Sequence, residues 1–206
     1  MAVFTHITLD DAQTFCRNYD ISGSILHITP IAEGTDNSNF ILHTDTQKYI
    51  LTIFENRIHP QDLPAIFTFI EKIRDNIIQT PRAYTDIHGH ILNPIKGKIA
   101  ALIEFLDGHP VSSPSDKQCF EMGKTLGHMH RRSEKIHTDL KDNNLSVSAW
   151  TRLAQDNNHT IASYSDDAPK IVSTALARIQ SDWPMANSLP RGAVHADAFP
   201  DNVFFK

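Results

Sequence analysis

A chain of 206 residues is long enough to form one globular domain or two small lobes around a buried core. With 40% hydrophobic and 21% charged residues, 8 Gly and 11 Pro, its composition excludes disordered, collagen-like and low-complexity chains. Nineteen Lys and Arg against 24 Asp and Glu give a formal charge of −5 with His neutral, which argues against nucleic acid or an anionic membrane as partner and for a small molecule.

The two cysteines, Cys16 and Cys119, are far apart in sequence and suit reduced thiols in the cytosol. The opening MAVFTHITLDD has acidic residues where a signal peptide needs basic ones, and no stretch reaches the ~18 apolar residues of a membrane span. The sequence therefore reads as soluble and cytoplasmic. Twelve His predict sensitivity to acid as pH falls through ~6.5.

In chain order, Thr8 followed by Asp11 predicts a helix N-cap, with Ala12, Phe15 and Cys16 on the apolar face of a short helix. Residues 24–31 alternate in part, AEGTDN interrupts them, and SNFILHT and KYILTIFE follow as two strands around a polar turn, Asp45 to Gln47. Pro60 opens a helix that carries Leu63, Ile66, Phe67, Ile70 and Ile73 at helical spacing. TDIHGHIL and PIKGKIAALIEF each place a Gly between apolar half-strands and predict two hairpins, or a hairpin with a bulge, that close an antiparallel sheet. Strands are then expected to stop. DGHPVSSPSD is a linker ending in a Ser115 cap, and it sets a lobe boundary at 106, giving lobes 1–106 and 107–206.

The second part reads as helical. Phe120, Met122, Gly123, Leu126, Gly127, Met129 and His130 predict a central core helix whose glycines admit a close neighbour. A helix around 149–154 and another from Pro169 to Trp183, with Ile171, Ala175, Leu176 and Ile179 inward, complete an α+β chain.

Two motif matches fail on counting. Gly123-Lys124-Thr125 imitates the end of a phosphate loop, but position 118 is Gln where that loop needs Gly. His128, His130 and His137 lack the spacing of a metal site on one helix face.

The informative segment is HADAFPDN, which fits H-x-D-x-x-x-x-N. Phosphoryl transfer needs a carboxylate to orient the attacking hydroxyl and take its proton, and an amide oxygen to hold Mg2+ against the phosphates. Asp197 and Asn202 suit those roles on one loop, with His195 bracing it. The same residues also suit a plain turn with Asp197 and Asp201 as solvated caps. Order along the chain favours the first reading, since the motif follows a sheet, one amphipathic helix, a linker and a helical segment.

Three other segments carry two readings each. Ala32 to Asn39 is a loop whose N–H groups could cover ATP phosphates, or a hairpin turn rich in Asn and Asp. Glu104 to Leu106 is a hinge offering backbone groups to adenine, or the end of a buried strand. Glu71 is a partner for a phosphate-binding cation, or part of a solvated helix face.

Taken together, EGTDNSNFILHT, KYILTIFE, QDLPAIFTFIEKI, ALIEFLDG, MGKTLGHMH and VHADAFPDNVFF resemble homoserine kinase of the kinase-fold type, within the aminoglycoside phosphotransferase and choline kinase superfamily. The resemblance implies a protein-kinase-like two-lobed fold with ATP and Mg2+ as cofactors. Asp197 is then the catalytic base and Asn202 the Mg2+ ligand. Gly34, Thr35, Asn37, Ser38 and Asn39 form the nucleotide loop, with Thr52 beneath it and Glu104 to Leu106 as the hinge. The acceptor implied is L-homoserine, in threonine biosynthesis; choline, an aminoglycoside or another acceptor is the alternative, as is a non-catalytic nucleotide-binding module. Two departures accompany the resemblance. The third-strand kinase lysine falls at Thr52, and the family's next Mg2+-binding Asp would lie beyond Lys206. An incomplete helical lobe is therefore expected, with low turnover and apolar surface around Val194 and Phe204 that favours self-association.

Overall fold

The computed structural model describes residues 4–32, 36–55, 59–137, 139–140, 146–184, 188–190 and 192–206. Thr8 caps helix α1 (Leu9–Cys16) as expected: its hydroxyl accepts the Asp11 N–H, and the Asp11 carboxylate accepts the Thr8 N–H at 2.8 Å. The apolar residues Ala12, Phe15 and Cys16 recur at helical spacing and are buried. Burial pushes the Cys16 thiol up to about 12, which leaves it inert.

The alternating runs become β1 (Ile25–Ile31), β2 (Asn37–Thr44) and β3 (Lys48–Phe54), followed by β4 (Leu92–Ile95) and β5 (Lys98–Glu104). They form one antiparallel sheet in the order β1-β2-β3-β5-β4. Lys96 and Gly97, both with positive φ, make the two-residue turn between β4 and β5, the backbone hand that matches strand twist.

Alternation along β3 divides the core. Tyr49, Leu51 and Ile53 point to the face covered by α1, where they pack with Phe15, Phe40, Leu42 and Leu102. Phe54 points to the other face, which carries helix α2 (Leu63–Ile73) through Leu63 and Phe67. Pro60 starts a single 3-10 turn that leads into α2.

Helix α3 (Asp116–Ser133) begins at a Ser115–Gln118 capping box. Its C-terminal half grips the end of α2. Arg132 donates to the carbonyls of Lys72 and Arg74 at 3.1 and 3.2 Å, covering carbonyls that a helix end leaves unpaired. Asp75 accepts from His128 Nε2 at 2.7 Å and from the N–H groups of Ile77 and Ile78.

Four expectations need correction. TDIHGHIL is a turn and not a hairpin: Asp86, nearly buried, accepts the N–H groups of His88 and His90, and its own N–H donates to the His90 carbonyl. Strands do not stop at 106, because β6 (His109–Pro110) pairs with β7 (Phe204–Phe205). Helix α3 is not a buried core helix. Only Ser133 is buried, Phe120 is 69% exposed, and a Cβ on Gly123 or Gly127 would meet nothing within 4 Å. In the last helix, Ile171 and Ala175 are exposed, while Val172, Leu176 and Ile179 are half-buried.

Contacts divide the chain into two compact units, Met1–Leu140 with Ala193–Lys206, and Lys141–Gly192. The second unit contains α4 (Val147–Asp156), α5 (Asn158–Ala162) and α6 (Ala168–Asp182). Within it, Trp150 meets Trp183 edge to face, and Gln180 donates to the Thr151 hydroxyl at 2.7 Å. Among the described residues no helix is long and apolar enough to cross a membrane.

Leu51 is fully enclosed, so Leu51→Ala is expected to cost about 2–5 kcal/mol in chemical denaturation. Acid should act through two carboxylates. The Lys96 ammonium beside Asp11, with the Thr8 groups, lowers its carboxyl to about 2, and His128 with two backbone N–H groups holds Asp75 well below the usual range. Both groups stabilise the fold above pH ~4, and that contribution fades as pH falls from ~4 toward their folded values. Thermal melts of Asp11→Asn and Asp75→Asn should lie below wild type at neutral pH, with a gap that narrows in acid.

Candidate functional site

The H-x-D-x-x-x-x-N segment is fastened on both sides. Before it, the Ser133 hydroxyl at the end of α3 shares its one proton between the His130 carbonyl at 2.8 Å and the Ala193 carbonyl at 3.2 Å. After it, β7 pairs with β6, where Gly108 has φ +156° and a Cβ there would come within 3.0 Å of Phe204 Cβ. Glycine is needed for that approach.

Between these anchors the loop closes on itself. Pro200–Asn202 form a 3-10 turn, and the Asn202 side-chain amide donates to both the Asp197 carbonyl and its Oδ2, each at 2.9 Å. The Asp197 N–H donates to His195 Nδ1 at 3.3 Å. Ala196 has φ +59°, a left-handed conformation that costs a residue with a Cβ about 1–2 kcal/mol. The Asn202 N–H groups are taken by Asp197, which leaves its Oδ1 as the oxygen ligand of that amide. Carboxylate and amide oxygens are the set that Mg2+ prefers, so the residues present fit that ion.

The second group lies on the α2 face of the sheet. Register aligns Asn39 with Thr52 and Thr52 with Ala101. The Thr52 hydroxyl donates to Asn39 Oδ1 at 2.8 Å. Next to this row, Ile41, Ile50 and Ile103 form an apolar row whose side chains are half-buried.

Ser38 points to the opposite face. It is fully buried, accepts the N–H groups of Phe4 and Thr5 at 2.9 and 3.0 Å, and donates to Glu55, whose other oxygen pairs with Lys98. Asn37 begins β2, while Gly34 and Thr35 lie outside the described residues.

At the end of β5, Glu104 accepts from Arg74 at 3.1 Å and from the Arg82 N–H at 3.2 Å, and its own N–H donates to the Arg82 carbonyl. Leu106 follows in the coil after Phe105, whose ring lies under the Lys48 ammonium at 5.1 Å. Glu71 is exposed on α2. Among the described residues the loop, sheet and hinge groups share no hydrogen bond or ion pair with one another. Sequence reasoning did not find Arg74, Arg82, Ser133, Glu55 or Lys98, whose partners lie far along the chain.

Residues 27–206 match the phosphotransferase enzyme family. Over 205 residues the chain is 36% identical to a homoserine kinase of Sinorhizobium fredii and 37% identical to one of Methylobacterium radiotolerans. Each alignment covers 100% of this chain, but only 62% and 63% of those proteins. The chain thus spans less than two thirds of the length of the curated relatives it matches. Among solved structures, spectinomycin phosphotransferase in complex with ADP and spectinomycin aligns with a TM-score of 0.62 at 13% identity, covering 98% of this chain and 66% of that one. An aminoglycoside phosphotransferase of Alicyclobacillus acidocaldarius aligns at 0.60 and 15% identity, covering 93% and 61%. At these identities the likeness is one of fold. A family match that runs from β1 through the Asp197 loop to the last residue makes this chain a member of the phosphotransferase enzyme family.

Proposed function

We propose that this chain carries the nucleotide site and the transfer loop of a cytoplasmic, ATP-dependent kinase that phosphorylates the side-chain hydroxyl of L-homoserine, a step toward threonine. The observation that carries the chemistry is the closed Asp197–Asn202 pair on a loop fastened at both ends. The acceptor rests on the whole-length similarity to proteins named homoserine kinase. In this reading residues 1–106 hold the nucleotide, and residues 107–206 supply the transfer loop.

The Asp197 carboxylate orients the acceptor hydroxyl and takes its proton. A bond forms between the acceptor oxygen and the γ-phosphorus, and the bond from the γ-phosphorus to the β-phosphate oxygen breaks. The Asn202 amide fixes one carboxylate oxygen for that task, and His195 holds the Asp197 backbone in place. Asn202 Oδ1 would hold Mg2+, which when bound neutralises charge on the phosphates. On the sheet, the apolar row Ile41, Ile50 and Ile103 offers a ceiling for adenine, beside the Glu104 to Leu106 hinge. Asn37 and Asn39 of the nucleotide loop border the phosphates. Ser38 anchors that loop from the opposite face of the sheet.

Acceptor profiling tests the proposal in the protein that carries this chain. ATP consumption is expected with L-homoserine and at most weakly with choline or an aminoglycoside; preference for a cationic acceptor would reassign the substrate. ATP binding without any turnover would leave only a nucleotide-binding module.

Asp197→Asn should lower kcat by about 10²- to 10⁴-fold while nucleotide affinity changes little. Ala196→Gly should raise thermal stability modestly, by about 0.5–1 kcal/mol, because glycine adopts the left-handed conformation freely. Ala196→Val, by contrast, should lower both stability and turnover.

A further inference from the structure

Thr52 is a polar side chain on β3, between Ile50 and Phe54 on the same face, and only 7% exposed. Such a group is tolerated when its hydrogen bond is made, and here the single hydroxyl proton goes to Asn39 Oδ1 at 2.8 Å. That bond fixes the amide. With its oxygen occupied, Asn39 presents an NH2 group with two donors, and among the described residues nothing accepts them. The Asn39 row is also the end of the sheet nearest the β1–β2 loop, since β1 ends at Ile31, opposite Asn39, and β2 starts at Asn37.

Among the described residues no cation stands in register here. Neither the row of Ile31, Asn39, Thr52 and Ala101 nor the rows beside it, Thr29, Ile41, Ile50 and Ile103 on one side and Asn37, Phe54 and Ile99 on the other, carries a Lys or Arg among the described residues. The nearest cation in register on this face, Lys48, sits two rows away and lies over Phe105. Lys98 belongs to the opposite face and is paired with Glu55. An anion brought against the sheet beside the loop would therefore meet an oriented neutral amide.

We infer that Asn39 holds the phosphate chain of the bound nucleotide through its side-chain N–H groups, with Thr52 as the positioning residue that aims them: an uncharged clamp where a lysine would otherwise stand. The inference rests on the nucleotide site proposed above and adds how that site recognises phosphate. Two N–H donors aimed at a phosphate oxygen form charge-assisted hydrogen bonds, the stronger kind, without the desolvation cost of a buried ammonium. In a clamp of this kind the hydroxyl of Thr52 matters only through the direction it gives to Asn39.

Calorimetric titration of the protein with Mg-ADP and, separately, with adenosine tests the clamp. Asn39→Asp keeps an acceptor for the Thr52 hydroxyl but replaces the donors with a negative charge, and Thr52→Val keeps the shape but loses the hydroxyl. Both are expected to weaken Mg-ADP roughly ten- to a hundredfold and to leave adenosine within about twofold, while Thr52→Ser stays near wild type for both. Unchanged Mg-ADP affinity, or adenosine lost in step with it, overturns the clamp while the nucleotide site stands. Wild-type protein that binds neither ligand overturns the site itself, and the clamp with it.

Discussion

Asn39, Thr52 and Ala101 stand opposite one another on three neighbouring strands, and one register makes this so. Side chains alternate across a sheet with a period of two, so a slip of one residue along β3 would turn Thr52 toward α1 and Leu51 or Ile53 toward the α2 face. The register is locked by apolar burial on the far face. Leu42, Leu51, Ile53 and Leu102 are fully enclosed there, and shifting β3 would bring all of its core side chains out together. The polar pair is cheap to position because the core on the other face has already fixed the backbone that carries it.

At the loop end of the sheet the same backbone is held by a charged network. Ser38 accepts two N–H groups from the N-terminal segment and donates to Glu55, and Lys98 neutralises that carboxylate. A buried carboxylate without partners would be costly, and the Lys98 ion pair and the Ser38 hydroxyl offset that cost for Glu55. Each member sits on a different element: the N-terminal segment, β2, the residue after β3 and β5. The start of β2 is therefore secured from three directions at once, by the N-terminal segment, Glu55 and Lys98.

What could be read from the sequence was local. The Thr8–Asp11 and Ser115–Gln118 caps, the alternation in β2 and β3, and the Lys96-Gly97 turn are short-range patterns whose physics is complete within a few residues. The Asp197–Asn202 pair was legible for the same reason. TDIHGHIL misled because the Asp86 carboxylate takes the N–H groups that a hairpin would have paired across strands. Helix α3 misled differently: spacing of Phe120, Gly123 and Gly127 reports a face, but not whether anything lies against it. The α2–α3 contact is carried instead by His128 and Arg132, which no apolar periodicity marks. β6 is two residues long and contains a proline, so neither length nor propensity could reveal it. Arg74 and Glu104 are 30 residues apart, and Ser133 and Ala193 are 60 apart.

Those long-range polar contacts join the end of β5 to the Asp197 loop through α3. Glu104 at the end of β5 holds the Arg74 side chain, and the Arg74 carbonyl accepts from Arg132. Asp75, one residue on, binds His128 at 2.7 Å and lies 3.7 Å from Arg132. One residue beyond Arg132, Ser133 reaches the Ala193 carbonyl, just before His195. Hydrogen bonds to charged groups are directional and lose most of their strength within a fraction of an ångström, unlike apolar packing, which tolerates sliding. The end of α2 therefore cannot shift without breaking its bonds to both Glu104 and α3. Because Ser133 ends the same helix that carries His128 and Arg132, the position of α3 that satisfies the α2 carbonyls also sets where the chain enters the Asp197 loop.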